Sequence, residues 1–209
     1  MVTEDELTKL IEQARPGDLE MGLIAEEQQP EAFDIIRRAM KIEVDGYELY
    51  DETRLWFRFS KRDIKRHRDG LSVNTAGLTG FSAGAANMFL SSRNWHKEKN
   101  RERYLETFGK TVESTRGLLT MITPTNTMFD WLHAGRVYVR AQLAGSALGL
   151  RFHPVSQVLQ EYPQMDEPRT ELDKLLGVHS PAKVQMFVRV GRTATPGLSL
   201  RRGLDDLLV

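Results

Sequence analysis

The chain has 209 residues, no cysteine, and 29 acidic residues against 29 basic ones. That length supports one sizeable core or two small ones, and the even charge balance leaves no net field for collecting nucleic acid or anionic lipid. Without cysteine there is no disulfide, thiol nucleophile or thiolate metal site, and the composition is compatible with the cytoplasm.

The N-terminus, MVTEDELTKL, is acidic and amphipathic, unlike a secretory signal. No apolar run approaches the roughly 20 residues of a membrane span, so a cytoplasmic protein with no membrane partner is expected. Thr3 can cap a helix with Glu4, Asp5 and Glu6 in its first turn and Leu7, Leu10 and Ile11 on its apolar side. Arg15, Pro16 and Gly17 end it. Residues 19–25, LEMGLIA, read as a short buried strand, and Pro30 opens a second helix with an apolar stripe at Phe33, Ile36, Met40 and Val44.

Residues 47–67 mix aromatics with arginines, a composition that can bind nucleic acid by stacking and phosphate contacts. Asp51, Glu52 and Asp63 interleave with the bases, which argues for surface helices with Leu55, Trp56 and Phe59 facing inward and no nucleic acid partner. Residues 69–84, DGLSVNTAGLTGFSAG, show no sustained period; a long small-residue loop reads either as a lid or binding loop or as a plain connection. An apolar pattern resumes over 85–95. The charged stretch after it predicts a solvated helix with Tyr104, Leu105 and Phe108 turned inward.

Residues 118–123, LLTMIT, are a buried-strand candidate leading through Pro124 into a long helix over 127–149. Thr127 is its N-cap with Asp130 in capping-box position, and Gly149 is its left-handed stop. Met128, Leu132, Gly135, Val139, Leu143, Ala147 and Leu150 share one face, which predicts that this face is buried. Gly135 and Gly145 imply close approach of a backbone or a flat ligand, or tight helix packing alone. Beyond the helix, 168–176 predicts a short helix stopped by Gly177, 184–190 a third strand, and 204–209 a last helical turn. Strand, turn and long helix in succession read as α/β from the residues alone. The five histidines show no ligand spacing, so no metal is expected.

In order, LLTMITP, WLHAGRVYVRAQLAGSALGLRFHPVSQ, LDKLLG with VQMFVRVG, and the terminal LRRGLDDLL resemble the C-terminal part of the nitroreductase superfamily. DGLS at 69–72 and the HPVSQ form of the turn are closest to its Acg-like branch. The resemblance implies a single α+β domain over 1–209, with a mixed sheet of few strands flanked by helices around the long helix. It also implies non-covalent FMN, NAD(P)H as co-substrate, and a nitro compound, quinone or similar small molecule as electron acceptor. Pro154, Val155, Ser156 and Gln157 match the turn whose backbone faces the flavin ring, and Arg201 and Arg202 match the basic position that meets its phosphate. No side chain is expected to act as a nucleophile. Residues 69–84 match a lid over the flavin, and the small residues Gly135, Ala141, Gly145 and Ser146 suit a homodimer. The family's arginine-rich segment would precede Thr3, so the chain is expected to be incomplete at its N-terminus or a shortened member with weakened flavin affinity. The alternative is a non-catalytic nitroreductase-like module for dimerisation, partner binding or flavin sequestration.

Overall fold

The computed structural model describes residues 2–73, 90–193, 201–206 and 208. In chain order the regular elements are α1 (Glu4–Ala14), β1 (Glu20–Leu23), α2 (Gln29–Asp45), α3 (Tyr47–Trp56), α4 (Lys61–His67), α5 (Glu98–Glu113), β2 (Leu118–Thr123), α6 (Met128–Ala147), β3 (Arg151–Pro154), α7 (Asp166–Leu176) and β4 (Lys183–Gly191). They sort into two compact units. The first comprises Met1–Ile42 and Thr107–Thr193, the second Glu43–Glu106 and Ala194–Val209.

The first unit is built on a four-stranded sheet in the order β1-β2-β4-β3, and every described ladder is antiparallel. The α+β class holds. The strand–helix succession that reads as α/β yields no parallel pair here: the long helix after β2 is followed by β3, which pairs with β4 and not with β2. β2 is buried at every position, so its alternating side chains are covered on both faces of the sheet. One cover is formed by α1 and α6, where Leu10 and Ala14 join Ala134, Val137, Ala141 and Ala144 over Met21, Leu119, Met121 and Val188.

The helix ends follow the local chemistry. Thr3 and Glu6 form a reciprocal capping box at α1, and Arg15 closes that helix in the left-handed region at φ 52°. Thr127 and Asp130 form the same box at α6. Asp130 accepts from the Thr125 hydroxyl and from the Thr127 hydroxyl and N–H, which holds its carboxyl below the usual range. Gly149 leaves the helix with φ 74°, and Gly177 ends α7 with φ 66°.

Of the apolar face expected at Met128, Leu132, Gly135, Val139, Leu143, Ala147 and Leu150, only Leu150, just past the helix, is buried; the stripe on α6 itself is exposed. Met128, Leu132, Val139 and Leu143 are 68, 62, 54 and 68% exposed, and the buried face is instead Ala134, Val137, Ala141, Ala144 and Gly145. The reason is steric. The strands beneath already supply large side chains such as Met121, Leu119 and Val188, so the helix approaches them with its small residues. Gly145 is the tightest point, where a β-carbon would stand 2.4 Å from Cε2 of Phe152. Close packing against a neighbouring ring thus explains Gly145. At Gly135 a β-carbon would meet nothing within 4 Å.

The second unit contains α3 and α4 around a ring cluster. Trp95 stacks on Tyr50 with centroids 4.9 Å apart and meets Phe57 at 5.3 Å and Phe59 at 5.7 Å, while its indole N–H donates to the Tyr50 carbonyl. Phe59 therefore points inward as the sequence suggests. Leu55 and Trp56 do not, being 61 and 53% exposed, because α3 turns Tyr50 to the cluster. In α5, Phe108 is buried while Tyr104 is 43% exposed, which departs from the inward expectation for Tyr104.

Candidate functional site

The turn expected to meet a flavin ring lies in the first unit and is positioned by β3, a strand that the sequence reading left as a helix exit. Its four residues, Arg151–Pro154, pair with Gly191 to Val188 of β4. Pattern reading misses it because only Phe152 is strongly apolar, and the burial of the strand does not alternate. Phe152 lies against Gly145, and its ring meets Tyr138 edge-on at 6.3 Å. The strand is thereby fastened to α6.

Pro154 is exposed at the end of the ladder, and Val155 is buried with its N–H donating to the Phe187 carbonyl at 2.9 Å. The Ser156 hydroxyl reaches the same carbonyl at 3.4 Å, a long contact. Residues Ser156–Leu159 form a short 3₁₀ turn whose Val158 is fully buried. Gln157 is the unusual member. Its Oε1 is buried with no hydrogen-bond partner among the described residues, which leaves an acceptor taken from water uncompensated there.

Beside the turn, His153 and Arg189 are register partners, and a guanidinium N–H donates to Nδ1 of His153 at 2.8 Å. Arg189 also donates to the Thr115 hydroxyl at 2.6 Å, to the Ser114 hydroxyl at 3.2 Å and to the Thr111 carbonyl, so this half-buried cation caps the C-terminal turn of α5 with neutral acceptors. Burial lowers its pKa. His153 is held neutral by burial and then by the adjacent guanidinium charge.

Arg201 and Arg202 belong to the second unit. Arg202 pairs with Oδ2 of Asp69, whose other oxygen takes two bonds from Arg58 at 2.7 and 3.0 Å. Those two arginines, Arg202 first, hold the Asp69 carboxyl below its usual range. Arg201 is exposed. The DGLS motif is thus a latch. After Asp69, Gly70 takes φ 73° where a β-carbon would stand 2.3 Å from the Trp56 carbonyl. Leu71 exchanges backbone hydrogen bonds with Trp56 and Arg58 at 2.9 and 2.7 Å, and Ser72 and Val73 are buried. Residues 74–84 of the candidate lid loop lie outside the described residues, as do 85–89 of the apolar pattern and positions 207 and 209 of the final turn.

Sequence reading also missed a network in the second unit. Asp51 accepts from both arms of Arg54 at 2.6 and 3.0 Å and from Nε2 of His96 at 2.7 Å, and the His96 ring stacks on Tyr47 at 4.2 Å. These contacts, Arg54 foremost, drive the Asp51 carboxyl far down. The signal available was the Asp51/Arg54 spacing on one helix turn, but nothing in the sequence brings His96 to it. Among the described residues no group of three or more His, Asp or Glu could hold a metal ion, and no helix is long and apolar enough to cross a membrane.

No protein-family profile matches the sequence, and no curated protein matches it. Solved structures do match by shape. A nitroreductase-like family protein from Bacillus cereus superposes with a TM-score of 0.53 at 10% identity, covering 100% of this chain and 84% of its own. The FMN and NADPH-dependent nitroreductase NfnB from sphigopyxis sp. strain HMH gives 0.52 at 14% identity, covering 100% and 90%. A nitroreductase with bound FMN from Bacteroides fragilis gives 0.51 at 14% identity, covering 100% and 87%. At these identities the likeness establishes a nitroreductase-type fold.

Proposed function

We propose that the chain is an FMN-dependent oxidoreductase of the nitroreductase type, nearest the Acg-like branch by its DGLS and HPVSQ segments. The observation that carries this reading is the buried, unpartnered Oε1 of Gln157 in the turn after β3. An acceptor in need of a donor suits the ring N–H of a flavin once the Gln157 side chain turns outward, since its oxygen is closed to solvent in this structure. When bound, the flavin supplies the redox chemistry, taking hydride from NAD(P)H and passing electrons to a nitro compound, quinone or similar small molecule.

The chain's own residues then bind and orient. The Val155 N–H is committed to Phe187, so a backbone donor to the ring falls to Ser156 or Gln157. Gly145, Phe152 and Tyr138 brace the strand from behind, fixing the turn on rigid elements. Neutral His153 beside Arg189 keeps one fixed cation near that strand. Arg201 is the better candidate for the flavin phosphate, because Arg202 would have to exchange Asp69 for it.

The outward stripe on α6 supports a homodimer. Met128, Leu132, Val139 and Leu143, with the open Gly135 between them, form a contiguous apolar face. The same face favours the second reading, a non-catalytic module that self-associates or sequesters flavin.

Gel filtration after incubation with FMN tests the proposal. Flavin absorbance should co-migrate with the protein, and Gln157→Leu should weaken binding by about tenfold, the scale of one hydrogen bond to a buried acceptor. The loaded protein should then oxidise NADPH only when a nitro or quinone acceptor is added. Flavin retention without turnover would favour sequestration, and no flavin retention at all would sink the redox reading.

A further inference from the structure

A second candidate site lies on α4, and it is independent of the flavin reading. Between Arg58 and Arg68 six arginines and lysines stand against a single aspartate, in a chain whose total charge is zero. The two outer cations are neutralised: Arg58 by Asp69 and Arg68 by Asp206 at 3.5 Å. Asp63 is turned to the helix start, where it accepts from the Ser60 hydroxyl at 2.6 Å and its N–H donates back to Ser60. Lys61, Arg62, Lys65 and Arg66 remain, exposed and without a carboxylate partner among the described residues, and together they line one open groove of about 530 Å³.

The arrangement suits the helix in part, since Lys65 and Arg66 lie in its last turn and Asp63 in its first, and in part works against it. Lys61 and Arg62 occupy the first turn, where the helix dipole disfavours cations. Lys61 with Lys65, and Arg62 with Arg66, are like charges one turn apart, which destabilises a helix of only seven residues. Repulsion of this kind, with no carboxylate among the described residues to relieve it, is eased by a bound anion. The groove is open to solvent, and the four cations that border it match the charge of two or three linked phosphates.

We propose that the α4 groove binds a compact polyphosphate anion, of the size and charge of a nucleoside di- or triphosphate tail. Arg62 and Arg66 supply planar forks for phosphate oxygens, and Lys61 and Lys65 act as point charges in the adjacent row of the helix.

The test is calorimetric titration of the full chain with inorganic tripolyphosphate at about 50 mM salt, repeated at about 200 mM. Saturable binding that weakens with salt is expected, and Arg62→Glu with Arg66→Glu should reduce it at least about tenfold. Reversal of Lys97 and Lys99 on the same unit makes the same change in net charge and should leave binding within about twofold. Because reversal could unfold α4, the milder Lys65→Gln and Arg66→Gln pair is measured alongside, with circular dichroism to verify folding. Parallel arms use single-stranded oligonucleotide and phosphatidylserine vesicles. Binding of those alone, with none of tripolyphosphate, would overturn the proposal in favour of a macromolecular polyanion. Equal tripolyphosphate binding by all variants, or affinity no greater than for sulfate at the same ionic strength, would overturn it as well.

Discussion

Two stripes of α6 are apolar and have opposite fates. The inner face, Ala134, Val137, Ala141, Ala144 and Gly145, is sealed against α1 and the sheet; the outer face, Met128, Leu132, Val139 and Leu143, is in solvent. The inner face is small because it must approach a sheet already filled by large side chains. The outer face is bulky because no element of the described chain fills the space above it. The bulkier and more apolar stripe is not the one that the chain uses for its own core, so the fit to the sheet beneath decides which face is buried.

The contrast can be broken most severely from inside. Val137→Asp places a charge at a fully buried position and should cost about 4 kcal/mol or more, seen as loss of cooperative unfolding or of soluble protein. The same chemistry outside should act on association alone. Leu132→Glu combined with Leu143→Glu should raise the dimer dissociation constant by about a hundredfold in sedimentation experiments while the denaturation midpoint of the monomer stays put. A monomeric wild-type chain at micromolar concentration would remove the dimer from the proposal.

The paired glycines give a finer comparison. Gly145→Ala meets the Phe152 ring and should destabilise by about 1–3 kcal/mol, whereas Gly135→Ala meets open space and should stabilise by up to about 1 kcal/mol through helix propensity. If a second copy packs closely on Gly135, the same alanine should weaken the dimer even as it stiffens the helix. The smallest effect belongs to the shared N-terminus. Asp130 has a depressed folded pKa, so its contribution is present above the unfolded carboxylate range and is lost as pH falls through the folded value. Asp130→Asn should lower the melting temperature at neutral pH, and the gap from wild type should close on acidification below about pH 4.

Much of the local structure was legible in sequence: the cap at Thr3, the capping pair at Thr127/Asp130, the stops at Gly149 and Gly177, and the apolar run of β2. These depend on neighbours within a few residues. The misplaced α6 stripe shows the limit, since periodicity reports that a face is apolar and not what covers it. β3 was invisible because its pairing lies with β4, about forty residues on in the sequence, and not in its own pattern. At the candidate site the turn itself could be located, but the unpartnered Gln157 oxygen could not, nor could the engagement of Arg202 by Asp69. Both are products of tertiary placement.

The strand order also carries a message about synthesis. β3 finds its ladder in β4, the last of the four strands to be made, and β4 in turn lies between β3 and β2. β1 and β2 pair across about a hundred residues of intervening chain, a separation typical of slow-folding topologies. A nascent polypeptide leaving the ribosome therefore carries residues 154–157 without their scaffold until Gly191 has emerged, and the candidate flavin turn is among the last parts of its unit to take a fixed form.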